Sequence, residues 1–270
     1  MVIGCWLLVV GYWLLVVGCW LLVVGYWLLV IGCWLLVVGY WLLVIGYWLL
    51  VIGNFFPLLP LSPLPLLPTT QTMTWPYKTP GIPDDLFARL PGIPLSKREV
   101  RVLLLSCLRM KPDSVLWDIG AGTGTIPVEV GLLCPDAKII ALERDREVAD
   151  LIQTNCDRFG LTNVEVIEGS APDCLADLQP APDRICIEGG KPIEAILETA
   201  WQHLKVSGRA IATAHNLETL YALSSGFSHL QARNIEVVQS AVNRLETRGI
   251  HQVLAALNPM FILSGEKLDI

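Results

Sequence analysis

The first 77 residues of this 270-residue chain contain no lysine, arginine, histidine, aspartate or glutamate. All 19 basic and all 25 acidic residues therefore lie at or after Lys78. The charged part is long enough to form one globular domain with a sizeable core. The chain's net charge of −6 argues against a surface for nucleic acids, because such surfaces need clustered lysine and arginine. We therefore expect one domain, preceded by a segment of a different kind, and no nucleic-acid partner.

The uncharged part is mostly a repeat. From Gly4 to Ile52 the heptapeptide G-(C/Y)-W-L-L-V-(V/I) occurs seven times without a gap. It exceeds the roughly 20 apolar residues of a membrane-spanning helix, so a membrane-associated segment is one interpretation. However, no polar turn divides it and no basic cluster orients it. Because it varies at only two positions, as a tandem DNA repeat would, we favour translated repetitive DNA, with Met73 as the initiator and a cytoplasmic protein.

A proline- and leucine-rich stretch follows the repeat and cannot form a regular helix. We assign residues 1–53 to the heptapeptide repeat, 54–79 to a linker and 80–270 to a single domain.

Within that domain, short apolar runs alternate with stretches of helical periodicity. A first helix is expected from Ser96, with Ser96 and Glu99 forming a capping box. Alternation of strands and helices gives a mostly parallel sheet covered on both faces. The last two strands, Ile235–Val242 and Gln252–Leu263, have no long helix between them and would close the sheet as a hairpin. The expected strands are 115–119, 138–142, 164–167, 183–187 and 208–213, and the expected helices are 125–133, 146–159, 192–203 and 217–226.

A glycine-rich turn follows the first expected strand. The sequence D-I-G-A-G-T-G runs from Asp118 to Gly124, and its glycines let a ligand approach the backbone closely. It lacks the third glycine of the dinucleotide motif G-x-G-x-x-G and the lysine of a P-loop. The candidate cofactor-binding residues in this loop are Gly120, Ala121, Gly122, Thr123 and Gly124.

Two further features follow the next strands. Glu143 lies 23 residues after Gly120, where a carboxylate accepts both ribose hydroxyls. Alternatively, Glu143 forms an ion pair with Arg144 or Arg146 at the surface. The sequence E-G-S-A-P at 168–172 follows the third strand, where an adenine edge would lie. Together with the glycine loop, these features indicate S-adenosylmethionine. The fold class expected is α/β, that of Rossmann-like class I S-adenosylmethionine-dependent methyltransferases with a seven-stranded sheet.

The domain from Pro80 to Pro259 resembles the CbiT family, the decarboxylating corrin-ring methyltransferases of cobalamin biosynthesis. The most specific matches precede the glycine loop, where general methyltransferases share no motif. The matching stretches are P-G-I-P-D-D-L-F at 80–87, L-S-K-R-E-V-R at 95–101, L-W-D-I-G-A-G-T-G at 116–124, A-L-E-R-D at 141–145, E-G-S-A-P at 168–172, L-E-T at 217–219 and L-N-P at 257–259.

The resemblance implies methylation of a precorrin or cobalt-precorrin at carbon 15, coupled to loss of the ring-C acetate carboxylate. It also implies cofactor contacts from Ser96 and Ala171, besides the glycine loop and Glu143. A separate CbiE-type methyltransferase and a homotetramer are implied as partners. The sequence departs from the family pattern at Ser170, Glu188 and His215.

The substrate carries many carboxylates, so basic side chains should line its site. No residue can be named as catalytic, because the cofactor's sulfonium already activates the methyl group. For each basic candidate, the alternative is that it belongs to a basic surface exposed to solvent and does not bind the substrate. The candidate substrate-binding residues are Lys97, Arg98, Arg101, Glu188, His215, Arg244 and Arg248.

The cysteines of the domain lack C-x-x-C spacing and predict no metal site. Two other functions stay open at this point. One is a methyltransferase of the same fold that acts on protein or RNA, and the other is a membrane-tethered protein that binds a nucleoside without turnover.

Overall fold

The central strands are short and apolar because both faces of the sheet are covered. In the computed structural model, which describes residues 73–269, β1 is buried along almost its whole length and β4 and β5 along all of it. The strands are β1 (Val115–Ile119), β2 (Lys138–Glu143), β3 (Val164–Glu168), β4 (Arg184–Ile187), β5 (Arg209–Ala214), β6 (Arg233–Ser240), β7 (Asn243–Arg248), β8 (His251–Ala256) and β9 (Met260–Glu266). The helices are α1 (Arg98–Leu108), α2 (Thr125–Leu133), α3 (Arg146–Arg158), α4 (Ile193–His203) and α5 (Leu217–His229).

Seven strands form one sheet in the order β3-β2-β1-β4-β5-β9-β6. The pairs among β1 to β5 are parallel, whereas β9 runs antiparallel to both β5 and β6. The α/β fold with a mostly parallel seven-stranded sheet, expected from the sequence, is therefore confirmed. This order brings the carboxyl ends of β1, β2 and β4 to one edge, where ligands bind in open α/β sheets.

Alternate residues of β1 supply the two sides of the core. Trp117 and Ile119 pack with apolar side chains of α4 and α5 on one face. Leu116 packs with side chains of α1 and α2 on the other. Because successive side chains of a strand point to opposite faces, Asp118 lies on the same face as Leu116, on the side of α1.

The end of the chain differs from the sequence prediction. Gln252–Leu263 is not one strand: it divides into β8 and β9 around Leu257–Pro259, and Pro259 has no N–H to donate to a ladder. The strand β7 was not predicted, and it pairs antiparallel with β8 as a two-stranded ribbon. The ribbon is inserted between β6 and β9, which pair with each other as expected.

The predicted capping box at the start of α1 is wrong. Lys97 occupies the N-cap position, and the backbone N–H of Arg98 donates to Asp84 Oδ1 at 3.0 Å. The Ser96 hydroxyl donates instead to Glu188, and Glu99 pairs with Arg244. A side chain 14 positions earlier replaces the local cap, because the segment before α1 folds back on the helix.

The segment ahead of residue 80 is part of this fold. The backbone N–H of Met73 donates to the carbonyl of Arg158 at 2.7 Å, and Met73 and Trp75 pack on a cluster that includes Ile82 and Ile152. Met73 and Trp75, which belong to the stretch 54–79 assigned to the linker from sequence, thus contact the domain. The repeat and the rest of the linker lie outside the described residues. Between Met73 and Asp269, no helix has both the length and the hydropathy needed to span a membrane.

Candidate functional site

The turn after β1 is held tightly against its neighbours. Gly120 has φ of +74° and its N–H donates to the carbonyl of Leu142 at 2.9 Å. A Cβ on Gly120 would lie 3.2 Å from the carbonyl oxygen of Gly189, and one on Gly124 would lie 2.8 Å from Cγ2 of Ile152. Gly124 also has a positive φ, of +78°. Because other residues rarely adopt such values and a Cβ at either position would press on its neighbours, both positions favour glycine.

Glu143, at the end of β2, points its carboxylate at the glycine loop. Its Oε2 accepts the backbone N–H of Gly122 at 3.1 Å, and its Oε1 accepts the N–H of Arg144 at 3.0 Å. No ion pair joins Glu143 to the side chain of Arg144 or Arg146 in the described part of the chain. The carboxylate thus lies against the loop, half-buried, where it can accept hydroxyl groups of a bound nucleoside.

The segment before α1 covers the loop. The Thr123 hydroxyl donates to the carbonyl of Pro94 at 2.8 Å, and the hydroxyl of Ser96 donates to Oε2 of Glu188. The glycine loop, Ser96 and the end of β4 therefore form one site, which joins residues up to 92 positions apart.

Two carboxylates and a thiol meet below the loop, a feature that the sequence analysis missed as a group. One ligand atom each from Asp118, Cys186 and Glu188 lie within 4.8 Å of one another. Asp118 is fully buried, and neither of its oxygens has a hydrogen-bond partner among the described residues. The signal was available: Asp118 on β1 and Cys186 on β4 are register partners in a parallel pair, and Glu188 follows two residues after Cys186 on the same face.

The electrostatics of this group favour its protonated forms. Burial, and then the charge of Glu188, raises the pKa of Asp118 well above its ordinary value. Burial raises the pKa of Glu188 to about 7, although the hydrogen bond from Ser96 and the charge of Arg101 oppose the increase. Burial likewise raises the pKa of the Cys186 thiol well above its usual range. The thiol is therefore neutral at physiological pH, and a metal would have to displace its proton.

Ala171 lies beyond the end of β3, beside the loop that follows Glu143. The register pairs Glu143 with Glu168, so the E-G-S-A-P segment continues from the same sheet edge. Ala171 is half-buried against the core, whereas Ser170 is exposed.

Three of the basic candidates line one cavity. This cavity, of about 410 Å³, lies beside the start of α1, and Lys97, Arg98 and Arg244 contribute to its wall. Arg89, which the sequence analysis did not single out, lines it as well, and so do two acidic residues. The full lining is Pro83, Asp84, Asp85, Arg89, Lys97, Arg98 and Arg244.

Arg101 is a correction to the predicted substrate-binding set. Its side chain is fully buried, with Nε 2.9 Å from Glu129 Oε1 and Nη1 2.7 Å from Asp84 Oδ1. It also donates to the carbonyls of Ser96 and Ile82. Because the side chain has no exposed surface and its nitrogens donate inside the fold, Arg101 holds the N-terminal segment in place and cannot reach a substrate.

The two remaining candidates lie apart from the cavity lining. Arg248 is exposed at the tip of the β7-β8 ribbon and pairs with Glu246 at 3.0 Å. His215 is exposed directly after β5, next to Asn216, whose side chain caps α5. His215 therefore lies at the ligand-binding edge of the sheet, whereas Arg248 lies at the far end of an inserted ribbon.

The comparison with known families identifies the family of this chain. A model of the precorrin methyltransferase domain matches residues 90–267, well over half of the chain. The chain belongs to this family. The CbiT resemblance seen in the sequence is thereby confirmed, and the matched residues include the glycine loop, Glu143 and Glu188.

Individual proteins that are similar to this chain support the same family assignment. A probable cobalt-precorrin-6B C(15)-methyltransferase (decarboxylating) from Pyrobaculum calidifontis is 38% identical over 196 residues, covering 72% of this chain and 99% of that protein. The Salmonella typhimurium cobalt-precorrin-6B C(15)-methyltransferase (decarboxylating) is 30% identical, covering 68% of this chain and 95% of that protein. The crystal structure of precorrin-6y C5,15-methyltransferase from Geobacter metallireducens superposes with a TM-score of 0.62 at 34% identity, covering 69% of this chain and 97% of that one.

Proposed function

We propose that this protein methylates carbon 15 of a precorrin or cobalt-precorrin with S-adenosylmethionine, and that loss of carbon dioxide from the ring-C acetate accompanies the transfer. The observation that carries the proposal is the site at the ends of β1, β2 and β4. It combines a close-packed glycine loop, a carboxylate on that loop, and two acids beneath it, one buried and one half-buried. Relatives that align over nearly their whole length are named for this reaction.

The residues of the site fit the cofactor. The carboxylate of Glu143 accepts only backbone N–H groups among the described residues, which supports a role in accepting two ribose hydroxyls. The loop is less crowded at Gly122, where a Cβ would make only an ordinary van der Waals contact, 3.8 Å from the carbonyl oxygen of Pro94. Asp118 offers a buried carboxylate without a hydrogen-bond partner within residues 73–269. A nucleoside with a cationic amino-acid tail satisfies all three features.

When bound, S-adenosylmethionine supplies a methyl group on a sulfonium that is already electrophilic. The chain's own residues then have to align that methyl group with the ring carbon and exclude water. The Pro94–Ser96 segment covers the loop and would exclude water from it. The hydroxyls of Thr123 and Ser96 fix this segment in place. No nucleophilic side chain is required.

On the substrate side, the cavity beside α1 suits a carboxylate-rich ring. Arg89, Lys97 and Arg98 can donate to peripheral acetates and propionates, and an arginine guanidinium can do so in bidentate fashion. Arg244 can contribute only through the exposed part of its guanidinium. Asp84, which lines the same cavity, and Glu99 accept hydrogen bonds from Arg244 and hold its side chain in position. We propose that these basic groups orient the macrocycle.

The test is an assay with the protein and its two proposed substrates. Cobalt-precorrin-6B or its metal-free counterpart is incubated with S-adenosylmethionine, and the product is analysed by mass spectrometry. We expect one methyl group gained and one carbon dioxide lost. Glu143→Ala should form less product at a subsaturating concentration of S-adenosylmethionine, and Glu165→Ala, at an exposed glutamate on β3, serves as the matched control. Cofactor binding without any product would contradict the proposed reaction and favour a nucleoside-binding protein.

Partners and location belong to the same proposal. By family resemblance, we propose that a separate CbiE-type protein methylates carbon 5. We also propose that the reaction takes place in the cytoplasm. We also propose that the protein is a homo-oligomer, a tetramer by family resemblance. The exposed side chains of Leu245, Ile250 and Leu254 on the β7-β8 ribbon support self-association.

A further inference from the structure

Glu188 is the member of the group below the loop that reaches the surface of the site. Asp118 and Cys186 are buried, whereas Glu188 is half-buried, although one ligand atom from each lies within 4.8 Å of the others. The hydroxyl that donates to Glu188 belongs to Ser96, in the segment that covers the glycine loop. A carboxyl group in this position can exchange a proton with a bound molecule, which its two buried neighbours cannot do.

The backbone of Glu188 is fixed between two central strands. Its N–H donates to the carbonyl of Ile119 at the end of β1 at 3.1 Å, and its carbonyl accepts the hydroxyl of Thr213 on β5 at 3.4 Å. Glu188 therefore lies in the middle of the sheet edge at which such folds bind ligands. A Cβ on the next residue, Gly189, would meet no atom within 4 Å among the described residues other than its chain neighbours. This side of the end of β4 is thus open to a bound molecule.

Ser96 connects Glu188 to the cavity proposed for the substrate. Its hydroxyl donates to Oε2 of Glu188, and the next residue, Lys97, lines the cavity beside the start of α1. On its other side, Glu188 precedes Gly189, whose carbonyl oxygen would lie 3.2 Å from a Cβ on Gly120. Glu188 is thus adjacent both to the glycine loop proposed for the cofactor and to the basic wall proposed for the macrocycle.

The proposed reaction needs a proton at one particular carbon. Methyl transfer forms the bond to carbon 15 and leaves a positive charge in the conjugated ring. The bond between the acetate methylene and its carboxylate then breaks, carbon dioxide leaves, and the electron pair of that bond neutralises the ring and forms an exocyclic methylene. An acid must protonate this methylene to give a methyl group. The positive charge that returns to the ring is removed when carbon 15 loses its hydrogen as a proton.

We propose that Glu188 donates the proton to the exocyclic methylene and that its carboxylate then takes up the proton released from carbon 15. The inference rests on the proposed function. It gives a role to Glu188, where the family pattern tends to have glycine and the proton would have to come from water. One proton is given and one is regained, so the sequence of steps needs no further reactant.

The surroundings of Glu188 favour an acid that is active near neutral pH. Burial raises its pKa to about 7, although the hydrogen bond from Ser96 and the charge of Arg101 oppose the increase. General acids are most effective when their pKa lies near the operating pH. The titratable, charged or hydroxyl-bearing side chains that face Glu188 are Asp118 on β1, Cys186 on β4, Arg101 on α1 and Ser96 before α1.

The experiment separates methyl transfer from the later steps in a single turnover of the whole protein. Excess protein is mixed with S-adenosylmethionine and cobalt-precorrin-6B or its metal-free counterpart, and the reaction is quenched at intervals. S-adenosylhomocysteine measures methyl transfer, and the absorption spectrum of the macrocycle measures formation of the final product. Glu188→Gln should slow the final product about a hundredfold more than it slows S-adenosylhomocysteine, because a general acid typically contributes this much. The exocyclic methylene compound, which has the mass of the product but a different spectrum, should accumulate.

Two further variants serve as matched controls. Glu188→Asp keeps an acid at the same position and should restore part of the lost rate. Glu194→Gln, at an exposed glutamate on α4, should change neither step.

The pH profile is a readout that a merely structural role would not move. Only the protonated carboxyl donates, so the wild-type rate of the final step should be constant in acid and fall about tenfold per pH unit above the pKa. Glu188→Gln should lose this dependence. Ser96→Ala removes a hydrogen bond that favours ionised Glu188, so the midpoint should move to higher pH. This variant keeps the test available if Glu188→Gln does not fold.

The outcomes separate the inference from the proposed function. Equal slowing of both steps in Glu188→Gln, or an unchanged final step, overturns the inference and leaves the methyltransferase proposal intact. A midpoint that Ser96→Ala leaves in place does the same. A loss confined to the final step in His215→Gln, with Glu188→Gln unaffected, would assign the proton to the exposed histidine after β5 instead. Absence of methyl transfer by the wild-type protein overturns both proposals.

Discussion

The guanidinium of Arg244 on β7 holds the carboxylate of Glu99 in the first turn of α1, with Nε 3.1 Å from Oε1, although the two residues lie 145 positions apart. Arg244 Nη1 also donates to Asp84 Oδ2 at 3.0 Å. These contacts attach the inserted ribbon to the start of α1. The wall of the cavity proposed for the substrate therefore depends on an ion-pair cluster between the two ends of the domain.

Arg244→Ala should impair substrate recognition more than stability. Arg244 is only partly buried, so we expect the free energy of unfolding to fall by about 1 kcal/mol or less. The KM for the precorrin should rise about tenfold, the loss of one charged hydrogen bond to the substrate, while the affinity for S-adenosylmethionine is unchanged. Steady-state kinetics and calorimetry measure the two effects. Arg248→Ala is the control for stability, because Arg248 is exposed on the same ribbon and should change it by less than about 0.5 kcal/mol.

The same cluster predicts how stability depends on acid. The hydrogen bond from Arg244 lowers the pKa of Glu99 despite partial burial. Burial acts to raise the pKa of Asp84, but the hydrogen bonds from Arg101 and Arg244 outweigh it and lower that pKa too. Both carboxyls then have lower pKa values in the folded than in the unfolded protein. Their stabilisation is present above the unfolded values near pH 4 and is lost as pH falls through the folded values.

Urea unfolding of the wild type and of Arg244→Ala between pH 3 and pH 7 measures this effect. We expect the difference in unfolding free energy to be constant above about pH 5 and to shrink in more acidic solution. A difference that grows on acidification would contradict the ion-pair assignment.

Arg101 and Glu129 form a buried pair that fastens the N-terminal segment. Glu129 accepts from Arg101 at 2.9 Å and from the backbone N–H groups of Gly81 and Ile82 at 2.7 and 3.1 Å. Removing one partner leaves an uncompensated buried charge, which typically costs about 3–5 kcal/mol. Arg101→Met should therefore lower the unfolding free energy by this amount in chemical denaturation. Arg233→Met, at an exposed site on β6, is the matched control, and similar losses in both variants would refute the structural role.

Much of the fold could be predicted from local patterns of apolar residues in the sequence. The bounds of β1 and α2 were predicted to the residue, because an apolar run ends at the glycine turn and a helical stretch follows it directly. The position of Glu143 beside the loop also followed, since parallel strands end at one edge.

Contacts between segments that are distant in the chain could not be predicted from the sequence. The cap of α1 comes from Asp84, and the burial of Arg101 depends on Glu129 from another helix. Both follow from how the N-terminal segment folds back, which no local periodicity encodes. The ribbon strand β7 was missed for a related reason: its residues are mostly exposed and polar, so it lacks the apolar signal of a core strand.

Glu143 is expected to carry much of the nucleoside affinity. Glu143→Ala removes the carboxylate that would accept the ribose hydroxyls and should weaken S-adenosylmethionine binding by about 1–3 kcal/mol. Because methylthioadenosine contains the same ribose as S-adenosylmethionine, its binding should weaken by a similar amount. Calorimetry at pH 7.5 measures both, with Glu165→Ala as the control. An unchanged affinity would refute the ribose role.

The β7-β8 ribbon offers a test of self-association. Leu245 and Leu254 are register partners, with 61% and 73% of their surfaces exposed. Burying such a side chain against another copy contributes about 1.5–3 kcal/mol. We expect the wild type to be multimeric by light scattering after gel filtration, and Leu245→Ser with Leu254→Ser to shift it toward the monomer. Val206→Ser replaces an equally apolar, half-exposed side chain away from the ribbon and should leave the mass unchanged. A monomeric wild type, or a double variant of undiminished mass, would exclude the ribbon as the interface.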